Sequence, residues 1–210
     1  KLAMMEPSDS QEARAFMKEA FEISEKLDTP ILMRMTTRLC HSKGIVDCGE
    51  RVDVPAKKYE KNIAKHLNPP AIAKKQRILL EDRLVKLKEF SETTPMNRIE
   101  DNGKKVGVVV SGMCYCYAKE VFGDDVNYLK LGFTYPLPSD LIKKFCTGLD
   151  IIYVIEENDP ILEEEIQRLG FDPKGKNTFP AYDELTPDVI RKCVFGKTYD
   201  SVDYDRTKVV

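Results

Sequence analysis

The most regular pattern in the chain is an alternation of short apolar runs with amphipathic segments between Lys104 and Gly170. The apolar runs predict three buried strands, at Val106–Val110, Val126–Leu131 and Ile151–Ile155. Each strand is followed by a helix-start signal, at Ser111-Gly112, Pro138 and Asp159-Pro160. Strands that alternate with helices in this way predict right-handed crossovers and a parallel sheet that helices cover on both faces.

The N-terminal segment shows a shorter version of the same alternation. Apolar positions recur at three- and four-residue steps from Ser10 to Leu27 and predict an amphipathic helix. Strands are predicted on either side of it, at Leu2–Met5 and Ile31–Thr37. Two strands and one helix leave most of a sheet's apolar face in water. We therefore expect residues 1–46 to belong to a larger fold, formed either by more of the same polypeptide or by a dimer that completes the sheet.

Residues 47–99 are predicted to be a linker that contains one helix, from about Ala71 to Phe90. Between Lys57 and Glu89 this linker carries ten Lys or Arg residues against four Asp or Glu residues, so it is the basic region of the chain. Aromatic side chains are not interleaved with the lysines, as they are in proteins that stack on single-stranded nucleic acids. We expect a solvated helix whose apolar stripe packs on a neighbouring domain.

The C-terminal part of the chain carries one more helix signal. Thr186-Pro187-Asp188 places a cap and a first-turn proline at the start of a helix that is predicted to end near Gly196. Residues 198–210 are expected to form an exposed tail.

The composition indicates a globular protein in a reducing compartment. The chain has 210 residues, of which 42% are hydrophobic and 32% charged, and its net charge of −2 gives no general attraction to nucleic acid or membrane. No apolar run has the length that a membrane span needs. The six cysteines lack the dense spacing of a disulfide framework, and one residue separates Cys114 from Cys116, whereas zinc and iron–sulfur sites usually have two. We expect a cytoplasmic protein with reduced thiols and with no metal, nucleic-acid or membrane partner bound by this segment.

Two candidate sites follow predicted strands of the parallel sheet, where α/β folds bind ligands. Ser111, Gly112 and Met113 form a strand-to-helix turn of the type that binds anions, although its incomplete glycine pattern also suits a plain tight turn. Glu156 and Glu157 form an acidic edge after the third strand. They suit acid–base chemistry, or they cap the helix that follows.

A third candidate group follows the N-terminal strand and consists of Arg34, Arg38, His41 and Ser42. An arginine here can bind a carboxylate through two hydrogen bonds, and a histidine can transfer protons. The alternative is that these side chains pair with acids at a domain boundary.

Several motifs, in the same order, resemble one protein family. They lie at Glu6–Ala13, Arg38–Val46, Thr94–Arg98, Val110–Met113, Leu129–Pro138, Val154–Pro160 and Glu184–Pro187. Over nearly the whole chain the sequence resembles the large (alpha) subunit of indolepyruvate ferredoxin oxidoreductase, a thiamine diphosphate-dependent 2-oxoacid:ferredoxin oxidoreductase. The resemblance implies that residues 1–46 end a pyrimidine-binding α/β domain and that residues 100–197 form a three-layer domain similar to the C-terminal domain of transketolase.

The resemblance also implies an activity for the whole enzyme. Such enzymes decarboxylate aryl 2-oxoacids such as indolepyruvate oxidatively to acyl-CoA, with thiamine diphosphate, Mg, 4Fe-4S clusters and CoA, and pass electrons to ferredoxin. A small second subunit and the remainder of the alpha subunit are the implied partners. The diphosphate-binding Gly-Asp-Gly motif and the cluster cysteines are absent from this sequence, so we expect an inactive internal fragment with no catalytic residue of its own.

Within this fragment, Arg38, His41 and Ser42 are expected beside the active site or a domain interface. The alternative function is a small-anion or CoA-binding docking module that uses the Ser111–Met113 turn and the edge formed by Glu156 and Glu157.

Overall fold

The protein has an α/β fold, and the computed structural model describes its residues 2–199. In chain order the elements are β1 (Ala3–Met5), α1 (Ser10–Leu27), β2 (Ile31–Met33), α2 (Thr37–His41), α3 (Ile63–His66), α4 (Pro70–Thr93), β3 (Asn97–Glu100), β4 (Val106–Ser111), α5 (Cys114–Phe122), β5 (Asn127–Leu131), β6 (Phe133–Tyr135), α6 (Ser139–Cys146), β7 (Ile151–Ile155), α7 (Ile161–Arg168) and α8 (Pro187–Phe195).

The C-terminal half contains a four-stranded sheet in the order β3-β5-β4-β7. Strands β5, β4 and β7 are parallel to one another, and β3 is antiparallel at the edge. Helices α5 and α8 pack on one face through side chains such as Phe122 and Ile190, while α6 and α7 pack on the other through Ile142 and Ile166. The predicted three-layer parallel-sheet fold is confirmed. Burial on both faces explains why β4 and β7 are almost continuously apolar.

A second sheet has the order β2-β1-β6. Strands β1 and β2 are parallel, whereas β6 is antiparallel to β1, with Met4 opposite Tyr135. Strand β6 comes from the C-terminal half of the chain and follows β5 after the single residue Gly132. The two sheets are therefore connected covalently. The three-stranded sheet has a core of its own, to which α1 and α4 contribute Phe16 and Leu87.

Gly132 allows the chain to pass from one sheet to the other. A Cβ atom at this position would lie 2.6 Å from Cζ of Phe16 and 2.8 Å from the backbone oxygen of Met96. The side chain of Asn97 fixes the same crossing, because its Oδ1 accepts hydrogen bonds from the backbone N–H groups of Gly132 and Phe133 at 3.0 and 2.9 Å. A larger residue at 132 would separate α1 from the crossing.

The caps of α1 and α8 follow the sequence signals. At the start of α1, Asp9 Oδ1 accepts from the backbone N–H of Glu12 at 2.7 Å, and Glu12 Oε2 accepts from the backbone N–H of Ser8 at 2.9 Å. At the start of α8, Thr186 Oγ1 accepts from the backbone N–H of Val189 at 3.4 Å. Helix α8 ends before Gly196, as predicted, and Gly196 has a left-handed conformation.

The short elements differ from the sequence prediction. The predicted strand Ile31–Thr37 ends at Met33, because Thr36 caps the short helix α2. Helix α3, α2 itself and the strands β3 and β6 were not predicted. None of the helices within residues 2–199 is long and apolar enough to cross a membrane.

Two predictions about organisation are not settled by this fold. The division into residues 1–46, 47–99 and 100–197 stays a prediction. Most of the predicted tail, residues 200–210, lies outside the described residues.

Candidate functional site

A cleft of about 660 Å³ opens where the N-terminal segment meets the carboxyl ends of β4 and β7. Its lining residues are Thr36, Thr37, Arg38, His41, Ser42, Met113, Tyr117, Glu157, Asn158, Asp183 and Glu184. We call it the main cleft. It brings together candidates from all three groups predicted from the sequence, because α2 lies across the sheet edge at which the β4 and β7 loops end.

A smaller cavity of about 310 Å³ adjoins the main cleft and shares Met113 and Glu157 with it. We call it the inner cavity. The turn residues Ser111 and Gly112 line it, together with Arg34 of the segment after β2.

Arg38 spans the main cleft and pairs with Glu184 in the loop before α8. Its Nε and Nη2 atoms donate to Oε1 and Oε2 of Glu184 at 2.8 and 2.6 Å, and the hydroxyl of Tyr117 donates to Oε1 as well. These hydrogen bonds, from Arg38 first and Tyr117 second, lower the pKa of Glu184 to about 2. Pairing with an acid is the alternative to ligand binding that the sequence left open for Arg34, Arg38, His41 and Ser42.

His41 and Ser42 lie at the end of α2, also on the wall of the main cleft. The Ser42 hydroxyl donates to the backbone oxygen of Leu39 at 2.9 Å, so it helps to end the helix. The imidazole of His41 is exposed. Of the three candidates on α2, Arg38 makes the most direct contact across the cleft.

The turn at Ser111–Met113 holds a carboxylate that belongs to the chain itself. Glu6 is 6% exposed at the end of β1, and its Oε2 accepts from Ser111 Oγ at 3.1 Å and from Arg34 Nη1 at 2.9 Å. Its Oε1 accepts from Thr134 Oγ1 at 3.1 Å. Gly112 has a φ of 52° beside this carboxylate, a conformation that glycine adopts readily. The anion turn therefore contacts an internal anion.

Sequence reasoning did not select Glu6 as a site residue. The available signal was its position directly after an apolar run and before Pro7, at the carboxyl end of β1. The contact with Ser111, which is 105 residues away, depends on how the two sheets pack.

Glu156 and Glu157 have different roles. The carboxylate of Glu156 accepts from the backbone N–H groups of Leu162 and Glu163 at 2.8 and 3.0 Å, and thus caps α7. Burial raises the pKa of Glu156, and these backbone hydrogen bonds oppose the rise. Glu157 lines the main cleft and accepts from the backbone N–H of Leu185 at 3.2 Å. The capping interpretation describes Glu156, and only Glu157 faces the main cleft.

Two cleft residues have unusual backbone conformations. Asn158 and Asp183 have φ values of 63° and 62°, in the left-handed region that residues with side chains rarely adopt. Among the described non-glycine residues, Asp28 is the third, and it ends α1. Asn and Asp adopt this region more readily than other residues with side chains, so both positions suit the turns that border the cleft.

The cysteines do not converge on a common point. Cys114 and Cys146 are buried on opposite faces of the four-stranded sheet, and burial raises the pKa of both thiols, that of Cys146 to about 12. Cys40, Cys48 and Cys193 are exposed. Within residues 2–199, no group of three or more His, Cys, Asp or Glu side chains is arranged to hold a metal ion. These thiols do not fit the ligand set of an iron–sulfur cluster, which needs converging thiolates.

A second polar group joins the two halves away from the cleft. Lys130 of β5 is fully buried and pairs with Glu12 of α1, which also accepts from Arg98 Nη1 at 3.2 Å and from Ser8 Oγ at 2.7 Å. Burial opposes ionisation of Glu12, but the charge and hydrogen bonds of its partners outweigh it and lower the pKa. Burial also lowers the pKa of Lys130, and the Glu12 charge offsets part of this effect. We call Glu12, Lys130 and Arg98 the buried ion cluster.

Curated relatives that carry the same subunit name match this chain along most of its length. Indolepyruvate oxidoreductase subunit IorA of Methanothermobacter thermautotrophicus is 37% identical over 211 residues, which cover 94% of this chain and 34% of that protein. The same subunit of Pyrococcus horikoshii is 35% identical over 202 residues, which cover 88% of this chain and 31% of that protein. The chain thus spans about a third of the length of the curated relatives it matches. No family model matches the sequence.

A solved structure has the same fold. It is a 2-oxoglutarate:ferredoxin oxidoreductase from Magnetococcus marinus, described with 2-oxoglutarate, coenzyme A and succinyl-CoA bound. The match has a TM-score of 0.61 at 14% identity and covers 82% of this chain and 38% of that chain. The resemblance seen in the motifs is confirmed: this chain is homologous, over nearly its whole length, to about one third of indolepyruvate oxidoreductase subunit IorA.

Proposed function

We propose that this chain is a structural and interface segment of an enzyme that oxidatively decarboxylates aryl 2-oxoacids such as indolepyruvate to acyl-CoA, with ferredoxin as electron acceptor. The observation that carries the proposal is its identity of 35–37% to IorA subunits along nearly its full length. The three-layer domain supports it, because its helices cover both sheet faces and leave the carboxyl-end cleft open toward neighbouring parts of an enzyme.

In this proposal the cofactors act in other parts of the enzyme. Thiamine diphosphate with Mg supplies the decarboxylation chemistry, and 4Fe-4S clusters supply electron transfer. The dispersed thiols of the described residues and the lack of a Gly-Asp-Gly motif in the sequence support this division. The remainder of the alpha subunit, a small second subunit and ferredoxin are the proposed partners, and the six unpaired cysteines suit a cytoplasmic location.

A chimera tests the proposal. The matching third of the Methanothermobacter thermautotrophicus IorA subunit is replaced by this chain, and the product is co-expressed with the rest of that enzyme. We expect indolepyruvate- and CoA-dependent reduction of a ferredoxin or dye, while this chain alone gives no turnover. The control is the same subunit with the matching third deleted, which should be inactive. A chimera that folds and binds its cofactors but does not turn over indolepyruvate would contradict the proposal.

The second candidate function is a small-anion or CoA-binding docking module of a related 2-oxoacid oxidoreductase. The observation that favours it is the main cleft, where Arg38 and His41 lie within reach of the loops after β4 and β7. Calorimetric titration of this chain with CoA is the test. Saturable binding that is lost in Arg38→Met would support the module, and the absence of any binding heat would contradict it.

A further inference from the structure

We propose that the guanidinium of Arg38 is a binding site for a carboxylate ligand and that Glu184 fills this site as a displaceable internal substitute. The inference rests on the second candidate function and deepens it, because it names the anion-binding side chain and the class of anion. It also moves the expected anion site from the Ser111–Met113 turn, of which Ser111 and Gly112 line the inner cavity, to Arg38 in the main cleft.

The contact between Arg38 and Glu184 has the geometry of a carboxylate-binding site. Arg38 presents Nε and Nη2 to both oxygens of one carboxylate at 2.8 and 2.6 Å, the two-point arrangement in which guanidinium groups recognise flat two-oxygen anions. Tyr117 adds a third donor on Oε1. Three donors from α2 and α5 thus already define a carboxylate site.

The carboxylate of Glu184 can leave its contact with Arg38. The side chain of Arg38 is 57% exposed and that of Glu184 is 32% exposed, so their separation would bury no uncompensated charge. Arg34, the other arginine beside the cleft, binds Glu6, whose side chain is only 8% exposed and is also held by Ser111 and Thr134. Arg38 is therefore the arginine that an incoming anion can take over.

The cleft beside Arg38 has room for a small organic acid. The main cleft of about 660 Å³ lies within the range of small-molecule sites, and Met113 supplies an apolar wall for the body of an organic acid. Glu184 lies in the loop before α8 and follows Asp183, whose φ is 62°.

The test titrates phenylacetate and measures binding by calorimetry in every variant, and the Nε–H resonance of Arg38 reports the site by NMR in the variants that keep Arg38. In Glu184→Gln the internal competitor loses its charge, so phenylacetate should bind roughly two- to five-fold more tightly than to the unmodified chain. Glu184→Asp keeps the charge but shortens the reach, and it should give an intermediate affinity. Adding Arg38→Met to Glu184→Gln should abolish saturable binding while the far-ultraviolet circular dichroism stays unchanged.

The matched control is Glu165→Gln, which removes the carboxylate of a second two-point arginine pair, Glu165 with Arg168 on α7, outside the cleft. If Glu165→Gln tightens phenylacetate binding as much as Glu184→Gln, the effect is one of net charge and the inference is wrong. Inorganic phosphate that binds as tightly as phenylacetate would overturn the carboxylate class. A working chimera together with no phenylacetate binding to Glu184→Gln would reject this inference and leave the proposed enzyme function standing.

Discussion

Two ion-paired groups join the N-terminal segment to the C-terminal half, and they differ in burial. In the buried ion cluster, Lys130 is fully buried and the side chain of Glu12 is 17% exposed. In the main cleft, the side chains of Arg38 and Glu184 are 57% and 32% exposed. The same pairing of charges therefore occurs once largely shielded from water and once in contact with it. Removing one partner of the shielded pair should therefore cost more unfolding free energy than removing one partner of the exposed pair.

In the buried ion cluster, the ammonium of Lys130 has no water with which to replace Glu12. Lys130 Nζ lies 5.1 Å from the centroid of the Phe16 ring and 5.7 Å from that of Tyr115, so the groups around its ion pair are aromatic. The pair in the cleft can exchange its partners for water at little cost. We infer that the first pair fixes the position of α1 on the sheet and that the second is available for a ligand.

The largest effect is expected for Glu12→Gln. This change leaves the ammonium of Lys130 buried without its counter-charge, which typically costs about 3–5 kcal/mol of unfolding free energy. Urea unfolding followed by circular dichroism measures the loss. The control is Lys130→Met, which removes the buried charge while filling similar volume and leaves Glu12 with Arg98 and Ser8. A cost for Lys130→Met as large as that for Glu12→Gln would refute the uncompensated-charge explanation.

A smaller loss is expected for Gly132→Ala, one residue after β5. The new methyl group would meet Phe16 and the backbone of Met96 at less than 3 Å, so α1 must shift from the sheet that carries Lys130. Overpacking of this kind costs about 1–3 kcal/mol. Thermal unfolding measures the loss, and combining Gly132→Ala with Phe16→Leu should recover part of it. No recovery in the double variant would exclude the contact with Phe16 as the cause.

For the cleft pair we expect a still smaller change in stability. Glu184→Gln should change the unfolding free energy by less than about 1 kcal/mol, because exposed ion pairs contribute little. Arg38→Lys keeps the charge but loses the two-point contact, and it should cost no more. Parallel urea titrations of both variants provide the measurement. A loss as large as that of Glu12→Gln would mean that Arg38 and Glu184 are a structural clamp rather than an exchangeable site.

Elements such as β4, β7 and α8 were predictable because their local sequence signals agree with their burial. Helix α8 starts at the Thr186 cap and ends before Gly196 as predicted, and the strands β4 and β7 match their apolar runs to within one residue. Strand β6 was not predictable in the same way. It has three residues, and its pairing with β1 depends on the Asn97 side chain and on close approach at Gly132, which are tertiary contacts.

Some of the residues that line the candidate site could be predicted from the sequence, but the ion pairs that they make could not. Met113 and Glu157 follow β4 and β7, which are parallel strands of one sheet, so their arrival at one edge follows from topology. Arg38 follows β2 of the other sheet, so its place in the cleft depends on how the two sheets pack. The partner of Arg38 is Glu184, 146 residues away in a loop without periodicity. Lys130 was hidden for another reason, since a lysine in an apolar strand gives no sign that α1 supplies its counter-charge.

The smallest predicted effect is the acid dependence of the cleft pair. The pKa of Glu184 is about 2 in the folded chain against an ordinary 4.5, because Arg38 and Tyr117 hydrogen-bond to its ionised form. A lowered carboxyl pKa contributes stability that is fully present above about pH 4.5 and is lost as the pH falls toward 2. The difference in urea midpoint between the unmodified chain and Glu184→Gln should therefore be largest near pH 6 and shrink steadily on acidification. It should also shrink on adding salt, since both side chains face water. The Glu12→Gln difference should change little with salt, because that carboxylate is paired in a buried cluster. Equal salt sensitivity of the two variants would contradict the distinction between a fixed pair and an exchangeable one.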